Sequence, residues 1–295
     1  MTIDELKRLA ERNLQLSKGY SASDPQDVFV LREDRPTEIL ASVYDPIFCL
    51  ILQGSKETRF ATGKLSLCAG DALVVSHTTP VLSRITEASR AKPYLALILR
   101  LDLSVLRGLH EDAAHLFVPV RGATTIEAGQ PDQNLLDALG RLIALEPGST
   151  AAKVLTPLYL REIHFHLLSS ALGGALCDLV SPASHGSRIA RAIGAIKEDT
   201  ARNLRLGDLA QIAGMSVSSF HQHFKEVTGE TPLRFQKDLR LIEAQRLLTE
   251  GGRRVAEAAH VVGYESAAQF SRDYRRRFGT TPSEDRQRAL GPAAA

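Results

Sequence analysis

The chain has 295 residues, of which 44% are hydrophobic and 24% charged, and its formal net charge is +2. This composition is typical of a globular protein of about two domains, and no apolar run approaches the roughly 18 residues of a membrane span, which argues against a membrane protein. The first residues lack a signal-peptide apolar core, and the three cysteines have no metal-site spacing, so we expect a reduced, cytoplasmic setting.

The N-terminal residues 2–18 have the apolar periodicity of an amphipathic helix. Thr2 and Glu5 stand at the spacing of a capping box, in which each side chain accepts from a free backbone N–H. We expect this helix to pack on its own domain rather than on a partner.

From residue 28 to about residue 103, short runs of β-type sequence alternate with turn residues. Gly70-Asp71, directly before a hydrophobic run, fits a tight turn between strands. Many short strands at this spacing predict a cupin-like β-barrel, a fold that often binds a small ligand. The candidate pocket residues are Phe48, Leu50, Leu52, Phe60, Val74, His77 and Tyr94. Alternation alone leaves open which face of each strand is inward.

Reactive side chains are few in this region. His77 is the only histidine between residues 28 and 103, so a hydrogen-bonded role at the barrel rim is favoured over metal ligation. Cys49 and Cys68 are candidate redox or electrophile sensors, with buried structural thiols as the alternative. We predict no metal, no cofactor and no catalytic group, and therefore no enzyme.

Helical propensity near residues 104–115 is followed by helical periodicity over about residues 132–172, which Pro147-Gly148 interrupts. The long apolar helix after this break is either a dimer surface or a cap on the β-domain. His164 and His166 lie two residues apart and diverge by about 200° on a helix, so they cannot share a metal ion.

Residues 182–187 are small and polar, which predicts a linker. We place the domain boundary at residue 184, between an N-terminal sensor and dimerisation domain (residues 1–184) and a C-terminal domain (residues 185–295). Residues 186–295 carry a net charge of +5 and the remainder −3. Positive charge concentrated in one domain is typical of nucleic-acid binding.

The C-terminal domain contains one pattern twice. Leu209-Ala210 and Gly214 return as Ala258-Ala259 and Gly263, at an offset of 49 residues. In each copy a serine and two aromatics follow, and the pattern predicts a helix, a glycine-capped turn and a second helix. Two helix-turn-helix motifs are therefore predicted, over about residues 206–228 and 255–278.

Each second helix has aromatics at i and i+4 that define its buried face. The outward residues are then Ser218, Ser219, Gln222 and Lys225 in the first copy, and Ala268, Gln269, Arg272 and Arg275 in the second. A linking helix over residues 233–248, roughly 24 Å long, would bring both second helices to successive major grooves about 34 Å apart.

The motifs Leu209-Ala-x-x-Ala-Gly-Met-Ser216 and Gly229-x-Thr-Pro232, together with Val255-Ala-x-x-Ala-x-x-Val-Gly263-Tyr-x-Ser266, resemble the AraC/XylS transcriptional regulators. This resemblance covers about 100 residues. Within the N-terminal half, Phe48-Cys-Leu-Ile-Leu-Gln-Gly54 is similar to the AraC-type regulator N-terminal domain.

The resemblance implies which side chains contact DNA. Carried over from the family, the base-reading candidates are Ser218, Gln222, Ala267, Ala268, Gln269 and Arg272. The count of outward positions adds Ser219, and the basic outward residues Lys225, Arg275 and Arg276 are the phosphate-contact candidates. Arg272 is the strongest of them, because an arginine can bind guanine O6 and N7 bidentately. Arg277 could instead fold back onto an acidic neighbour. The small side chains of Ser218 and Ser219 predict that the second copy supplies most of the selectivity.

We therefore predict an α+β protein, in which a cupin-like β-barrel with flanking helices precedes an all-α domain with two helix-turn-helix motifs joined by a linking helix. The predicted function is sequence-specific DNA binding and transcriptional regulation, controlled by a small molecule or electrophile. RNA polymerase and a second copy of the chain are further candidate partners, and no membrane is. The alternatives are a metal- or thiol-dependent cupin-like enzyme fused to a DNA-binding domain, and an architectural DNA-bending protein.

Overall fold

The computed structural model describes residues 1–13, 16–17, 27–117, 124–182, 184–202 and 204–290. These residues divide into two compact units. The first unit comprises Met1–Ala190 with Glu226–Thr228, and the second comprises Arg191–Lys225 and the chain from Gly229 onward. The division after Ala190 falls inside a helix, beyond the boundary predicted at residue 184.

The first unit contains two β-sheets, of six and four strands in the described residues. The larger sheet has the order β1 (Leu16–Ser17), β2 (Val28–Glu33), β9 (Tyr94–Arg100), β4 (Ile47–Gln53), β7 (Ala72–Val75) and β10 (Ile126–Gly129). The smaller sheet has the order β3 (Leu40–Tyr44), β8 (Thr79–Glu87), β5 (Ser55–Phe60) and β6 (Gly63–Cys68). Neighbouring strands are antiparallel, apart from the parallel pair β1 and β2.

Both faces of the larger sheet are covered. Cys49 and Ile51 of β4 belong to a core shared with the smaller sheet, whereas Phe48 and Leu50 belong to a core shared with helices. This arrangement explains why β4 and β9 are almost continuously apolar rather than alternating, since water reaches neither face. The two sheets and the helices that follow confirm the predicted α+β fold.

The helices of the first unit pack against the larger sheet. They are α1 (Ile3–Asn13), α2 (Leu103–Ala113), α3 (Gln133–Ile143), α4 (Thr150–Ser169) and α5 (Gly174–Val180). The capping box of α1 is formed, because the Thr2 N–H donates to Glu5 Oε2 at 2.7 Å and the Glu5 N–H donates to Thr2 Oγ1 at 3.2 Å. Asp102 is the N-cap of α2, and its side chain accepts from Ser104 N at 2.8 Å.

Two local predictions are wrong, and one strand was not predicted. The helix predicted over residues 2–18 ends at Asn13, and Leu16–Ser17 forms a strand that pairs with β2. Strand β10 was not predicted, because it owes its conformation to pairing with β7, a strand about 50 residues earlier. The predicted linker over residues 182–187 already contains the start of α6 (His185–Glu198).

The second unit is helical. After α6 it contains α7 (Leu206–Ala213), α8 (Val217–Thr228), α9 (Pro232–Thr249), α10 (Val255–Val261), α11 (Ala267–Phe278) and α12 (Pro282–Leu290). Ser216 and Ser266 cap α8 and α11, each accepting a backbone N–H at 3.3 Å. The two predicted helix-turn-helix motifs are thus α7–α8 and α10–α11, and α9 is the linking helix. Among the described residues, no single helix is long and apolar enough to cross a membrane. Helices α4 and α5 together reach that length and composition, but the chain bends by 109° between them.

The equivalent turn glycines of the two motifs make a matched test. Gly214 and Gly263 both have positive φ, of 65° and 83°. A Cβ on Gly214 would meet nothing closer than an arginine side chain at 3.9 Å, whereas one on Gly263 would lie 2.4 Å from the Ala201 carbonyl oxygen. We expect Gly214→Ala to cost about 1 kcal/mol of unfolding free energy, from φ strain alone, and Gly263→Ala roughly 2–3 kcal/mol. Chemical denaturation measures both, and equal losses would contradict the role of the Ala201 carbonyl.

Candidate nucleic-acid interface

Helices α8 and α11 each present a buried aromatic face. Phe220 and Phe224 of α8 pack with ring centroids 5.5 Å apart, and Phe270 and Tyr274 of α11 pack at the same 5.5 Å. All of these rings are fully buried. The aromatics at i and i+4 therefore fix the rotation of each helix about its axis, and the opposite face of each helix lies at the surface.

The predicted base-reading residues of α11 lie together on its exposed face. Ala267, Ala268 and Gln269 occupy the first turn and Arg272 the next, and all of them are exposed. On α8, Ser218 and Gln222 are exposed, but Ser219 is half-buried. The Ser218 hydroxyl also lies 3.3 Å from the capping Ser216 hydroxyl, which reduces its freedom to contact a base.

His221 is an exposed residue on the same face of α8 that was not predicted from the sequence. It directly follows the buried Phe220, and a count of outward positions from the aromatics would have included it. Its imidazole is the largest exposed side chain from Ser218 to Gln222, so it adds a hydrogen-bonding group to this face.

The predicted phosphate-contact residues differ in their ion pairs. Within the described part of the chain, Lys225 and Arg275 are exposed and form no ion pair. Arg272 is likewise exposed and forms no ion pair with the described residues. Arg276 is also exposed but is paired with Asp273 on its own helix. Contact of Arg276 with a phosphate would therefore have to compete with this carboxylate.

Arg277 folds back onto an acidic neighbour, one of the alternatives that the sequence allowed. Its Nε lies 3.1 Å from Asp238 Oδ2, and both side chains are largely buried. A second ion pair joins the same two helices, since Lys237 Nζ lies 2.5 Å from Asp273 Oδ2. The linking helix α9 is thus joined to α11 at two points, which flank the exposed Arg275 and Arg276.

The linking helix also holds the segment that follows α6. Arg240 donates to three successive carbonyls, those of Thr200, Ala201 and Arg202, at 2.6, 3.0 and 3.1 Å. Gln236 donates to the Arg202 carbonyl at 2.7 Å. The contacts of Arg240 could not be predicted from the sequence, because these carbonyls lie about 40 residues away.

Glu230 is a buried carboxyl at the start of α9, and burial raises its pKa to about 7, with neighbouring Asp238 adding to the effect. The folded state thus keeps a proton that the unfolded chain has released, so stability falls as the pH rises from about 4.5 to 7. We expect Glu230→Gln to stabilise the protein by roughly 2 kcal/mol at pH 8 and by little at pH 4. Denaturant titrations at both pH values measure this.

Glu284 provides a control of opposite sign for that experiment. Hydrogen bonds from Thr281, first from its backbone N–H, hold the pKa of this exposed carboxyl near 2. Its stabilising contribution is present at neutral pH and is lost in acid, so Glu284→Gln is expected to destabilise the protein at pH 8. The same sign for both variants at pH 8 would contradict these assignments.

The first unit does not bring the predicted pocket residues together. Phe48, Leu50, Leu52 and Val74 lie on the helix side of the larger sheet, whereas Tyr94 and Phe60 belong to the core between the sheets. His77 is hydrogen-bonded as predicted, to Ser76 Oγ at 2.8 Å and to the Gly186 carbonyl at 3.1 Å. It is 3% exposed, however, so it is a buried histidine rather than a rim residue, and burial lowers its pKa.

The two sensor candidates have different surroundings. Cys68 is exposed, but its thiol donates to Asp71 Oδ2 at 3.3 Å, and this carboxylate raises the pKa of Cys68. The thiol is therefore held in its less nucleophilic form. Cys49 is buried between the sheets, where Lys56 Nζ lies 3.7 Å from its Sγ. Lys56 is a buried cation that was not predicted from the sequence. The described residues contain no group of three His, Cys, Asp or Glu placed to hold a metal ion.

Comparisons with protein families match both units. Residues 25–175 match the AraC-type transcriptional regulator N-terminus, and residues 209–288 match a helix-turn-helix domain. The transcriptional activator VirF of the Yersinia enterocolitica virulence regulon is 30% identical over 154 residues, which are 52% of this chain and 56% of VirF. The transcriptional activator RhaS of Escherichia fergusonii is 30% identical over 156 residues, which are 53% of this chain and 56% of RhaS. The chain thus spans about half the length of the curated relatives it matches.

Solved structures share the fold. Vibrio cholerae ToxT, in a structure described as bound to an unsaturated fatty acid, superposes with a TM-score of 0.55 at 13% identity, covering 91% of this chain and 96% of ToxT. VirF and RhaS are both named as transcriptional activators rather than enzymes. Because the AraC-type N-terminal model alone matches half of the sequence and a helix-turn-helix model follows it, this chain belongs to the AraC-type transcriptional regulators.

Proposed function

We propose that this protein binds double-stranded promoter DNA through the exposed faces of α8 and α11 and regulates transcription in response to a small molecule bound by its first unit. The observation that carries the DNA-binding part is the exposed face of α11. There Arg272 and Arg275 stand free of ion pairs within the described residues, on a helix that buried aromatics hold in a fixed rotation.

The two helices are proposed to contribute unequally. Arg272 offers bidentate hydrogen bonds to guanine, and Gln269 offers an amide that can pair with adenine. Ser218 on α8 is short and lies against the capping serine, so α8 is proposed to read DNA mainly through Gln222 and His221. Lys225 and Arg275 are proposed to contact phosphates, which adds affinity without sequence choice.

Further partners belong to the same proposal. The fatty acid named in the ToxT structure supports a small-molecule effector for this chain, and RNA polymerase is the expected partner at a promoter. A second copy of the chain is proposed to dock on the first half of α4, where Val154 and Leu158 are each 58% exposed one turn apart. We place this regulator in the cytoplasm, where promoter DNA and RNA polymerase are found.

The test of this function is a footprint on the DNA that flanks the gene encoding the protein. Protection of a defined site, and weaker binding to a scrambled fragment of the same length, are expected. Uniform binding to all fragments would instead support an architectural DNA-binding protein.

A further inference from the structure

The core between the two sheets contains a buried cation that no carboxylate of the described residues is paired with. Lys56 of β5 points into this core and is 5% exposed. Its Nζ lies 3.7 Å from Cys49 Sγ and 5.4 Å from the centre of the Tyr44 ring. Among the described residues, the titratable groups that act on Lys56 are those of Cys49, Tyr44 and Tyr94. Burial lowers the pKa of Lys56, but Cys49, Tyr44 and Tyr94, with a hydrogen bond to Tyr44, outweigh burial and raise it. The buried amine therefore keeps its positive charge, although none of these partners is a carboxylate.

The neighbouring acidic residue cannot serve Lys56. Glu57 follows it in β5 and so points to the opposite face of the sheet. There its carboxylate is already bound by three cations, Lys64 at 2.7 Å, Arg59 at 2.8 Å and Arg84 at 3.1 Å. The carboxylate of Glu57 is thus fully occupied on the outer face of β5, and it offers nothing to Lys56 on the inner face.

Two hydroxyl groups in the same core lack hydrogen bonds. Thr58 lies two residues beyond Lys56 on the same face of β5, and Tyr94 is close enough to interact electrostatically with Lys56. Both residues are fully buried, and neither Thr58 Oγ1 nor the Tyr94 hydroxyl has a hydrogen-bond partner in the described structure. Burial raises the pKa of Tyr94 well above its usual value, so its hydroxyl is a donor at neutral pH. An unmade hydrogen bond in a core is destabilising, and native proteins seldom retain one without a use.

We propose that Lys56, with the hydroxyls of Tyr94 and Thr58, forms the binding site for the carboxylate group of a monocarboxylate effector with an apolar body. One positive charge balances one negative charge, and two hydroxyls donate to the carboxylate oxygens. The surrounding core residues, such as Ile51, Leu67 and Ile85, suit an apolar body and disfavour a dianion, whose second charge would have no partner. This inference rests on the proposed function, because it names the chemical class of the effector in that proposal.

The test is thermal unfolding of the full-length protein with three carboxylates and two matched amides. Acetate, hexanoate and phenylacetate are titrated to about 10 mM at constant ionic strength, beside hexanamide and phenylacetamide. At ten times its dissociation constant, a carboxylate is expected to raise the melting temperature by roughly 2–4 °C, whereas its amide has a much smaller effect. Stabilisation by none of the carboxylates, or equal stabilisation by the amides or by phosphate, would overturn the proposal.

Two variants separate binding from folding. Lys56→Met removes the cation at similar volume, and we expect at least a tenfold weaker carboxylate affinity with an unchanged response to amides. Tyr94→Phe removes a hydroxyl that has no partner to lose, so the free protein is expected to remain as stable while carboxylate affinity falls about tenfold. Retained affinity in both variants would show that the carboxylate binds elsewhere.

A DNA-binding measurement on the same proteins separates this inference from the proposed function. Wild type and both variants, without any carboxylate, are expected to bind the promoter fragment equally. If wild type fails to bind promoter DNA, the proposed function is wrong whatever the carboxylates do. If all three proteins bind it and the carboxylates have no effect, only the effector class is wrong.

Discussion

Replacing Arg272 by alanine is expected to remove most sequence selectivity while non-specific DNA binding persists. The side chain is exposed on α11 and forms no ion pair within the described residues, so it need not break a contact in order to reach a base. A bidentate contact with guanine contributes about 1–3 kcal/mol of discrimination, so the preference for the promoter over a scrambled fragment should fall roughly 10- to 100-fold.

The matched control is Arg275→Ala, one turn further along α11 and equally free of ion pairs among the residues that the structure describes. If Arg275 contacts a phosphate, its loss should weaken binding to every fragment. The slope of log affinity against log salt concentration should also become shallower by about one. Both variants are measured by fluorescence anisotropy on promoter and scrambled fragments at several salt concentrations. Selectivity that survives in Arg272→Ala, with uniform weakening, would make Arg272 a phosphate contact instead.

Removing either partner of the Asp238–Arg277 pair is expected to have the largest effect on stability. The two side chains are only 12% and 19% exposed, so a lone survivor would keep a charge in a largely buried place. Such losses cost about 3–5 kcal/mol. We expect Asp238→Ala to lower the unfolding free energy by that amount, as measured in urea, and to weaken promoter binding because α11 loses one of its attachments to α9.

Two further variants give this prediction its controls. Arg246→Met removes an exposed pair with Glu243, 2.8 Å apart on the same helix, and should cost less than about 1 kcal/mol. Burial raises the pKa of Asp238 even with Arg277 beside it, so desolvation outweighs attraction there. The double variant Asp238→Leu/Arg277→Met should therefore recover much of the lost stability. Equal losses for Asp238→Ala and Arg246→Met would contradict a buried role for the pair.

The helix-turn-helix motifs were predictable because their determinants are local. Ser216 and Gly214, like their counterparts in the second copy, act within a few residues of themselves, and the buried aromatics recur at one helical turn. The exposed position of Arg272 followed from that spacing alone.

The sensor region was less predictable, because its determinants are non-local. Strand β4 is apolar at successive positions, so alternation could not assign Phe48 to the helix side and Cys49 to the other. Lys56 lies in a strand that also carries Glu57 and Arg59, and such a sequence is typical of an exposed edge. Only the packing of the second sheet shows that this one cation points inward.

The double attachment of α11 to the linking helix has a thermodynamic consequence. Lys237 and Arg277 join α11 to α9 in the free protein, so we expect α11 to be folded before it contacts DNA. Association with a specific site should therefore proceed with a small change in heat capacity, set by the contact area rather than by coupled folding. Titration calorimetry at several temperatures would measure this heat-capacity change. A small value would indicate that the exposed face of α11 is already ordered in the free protein.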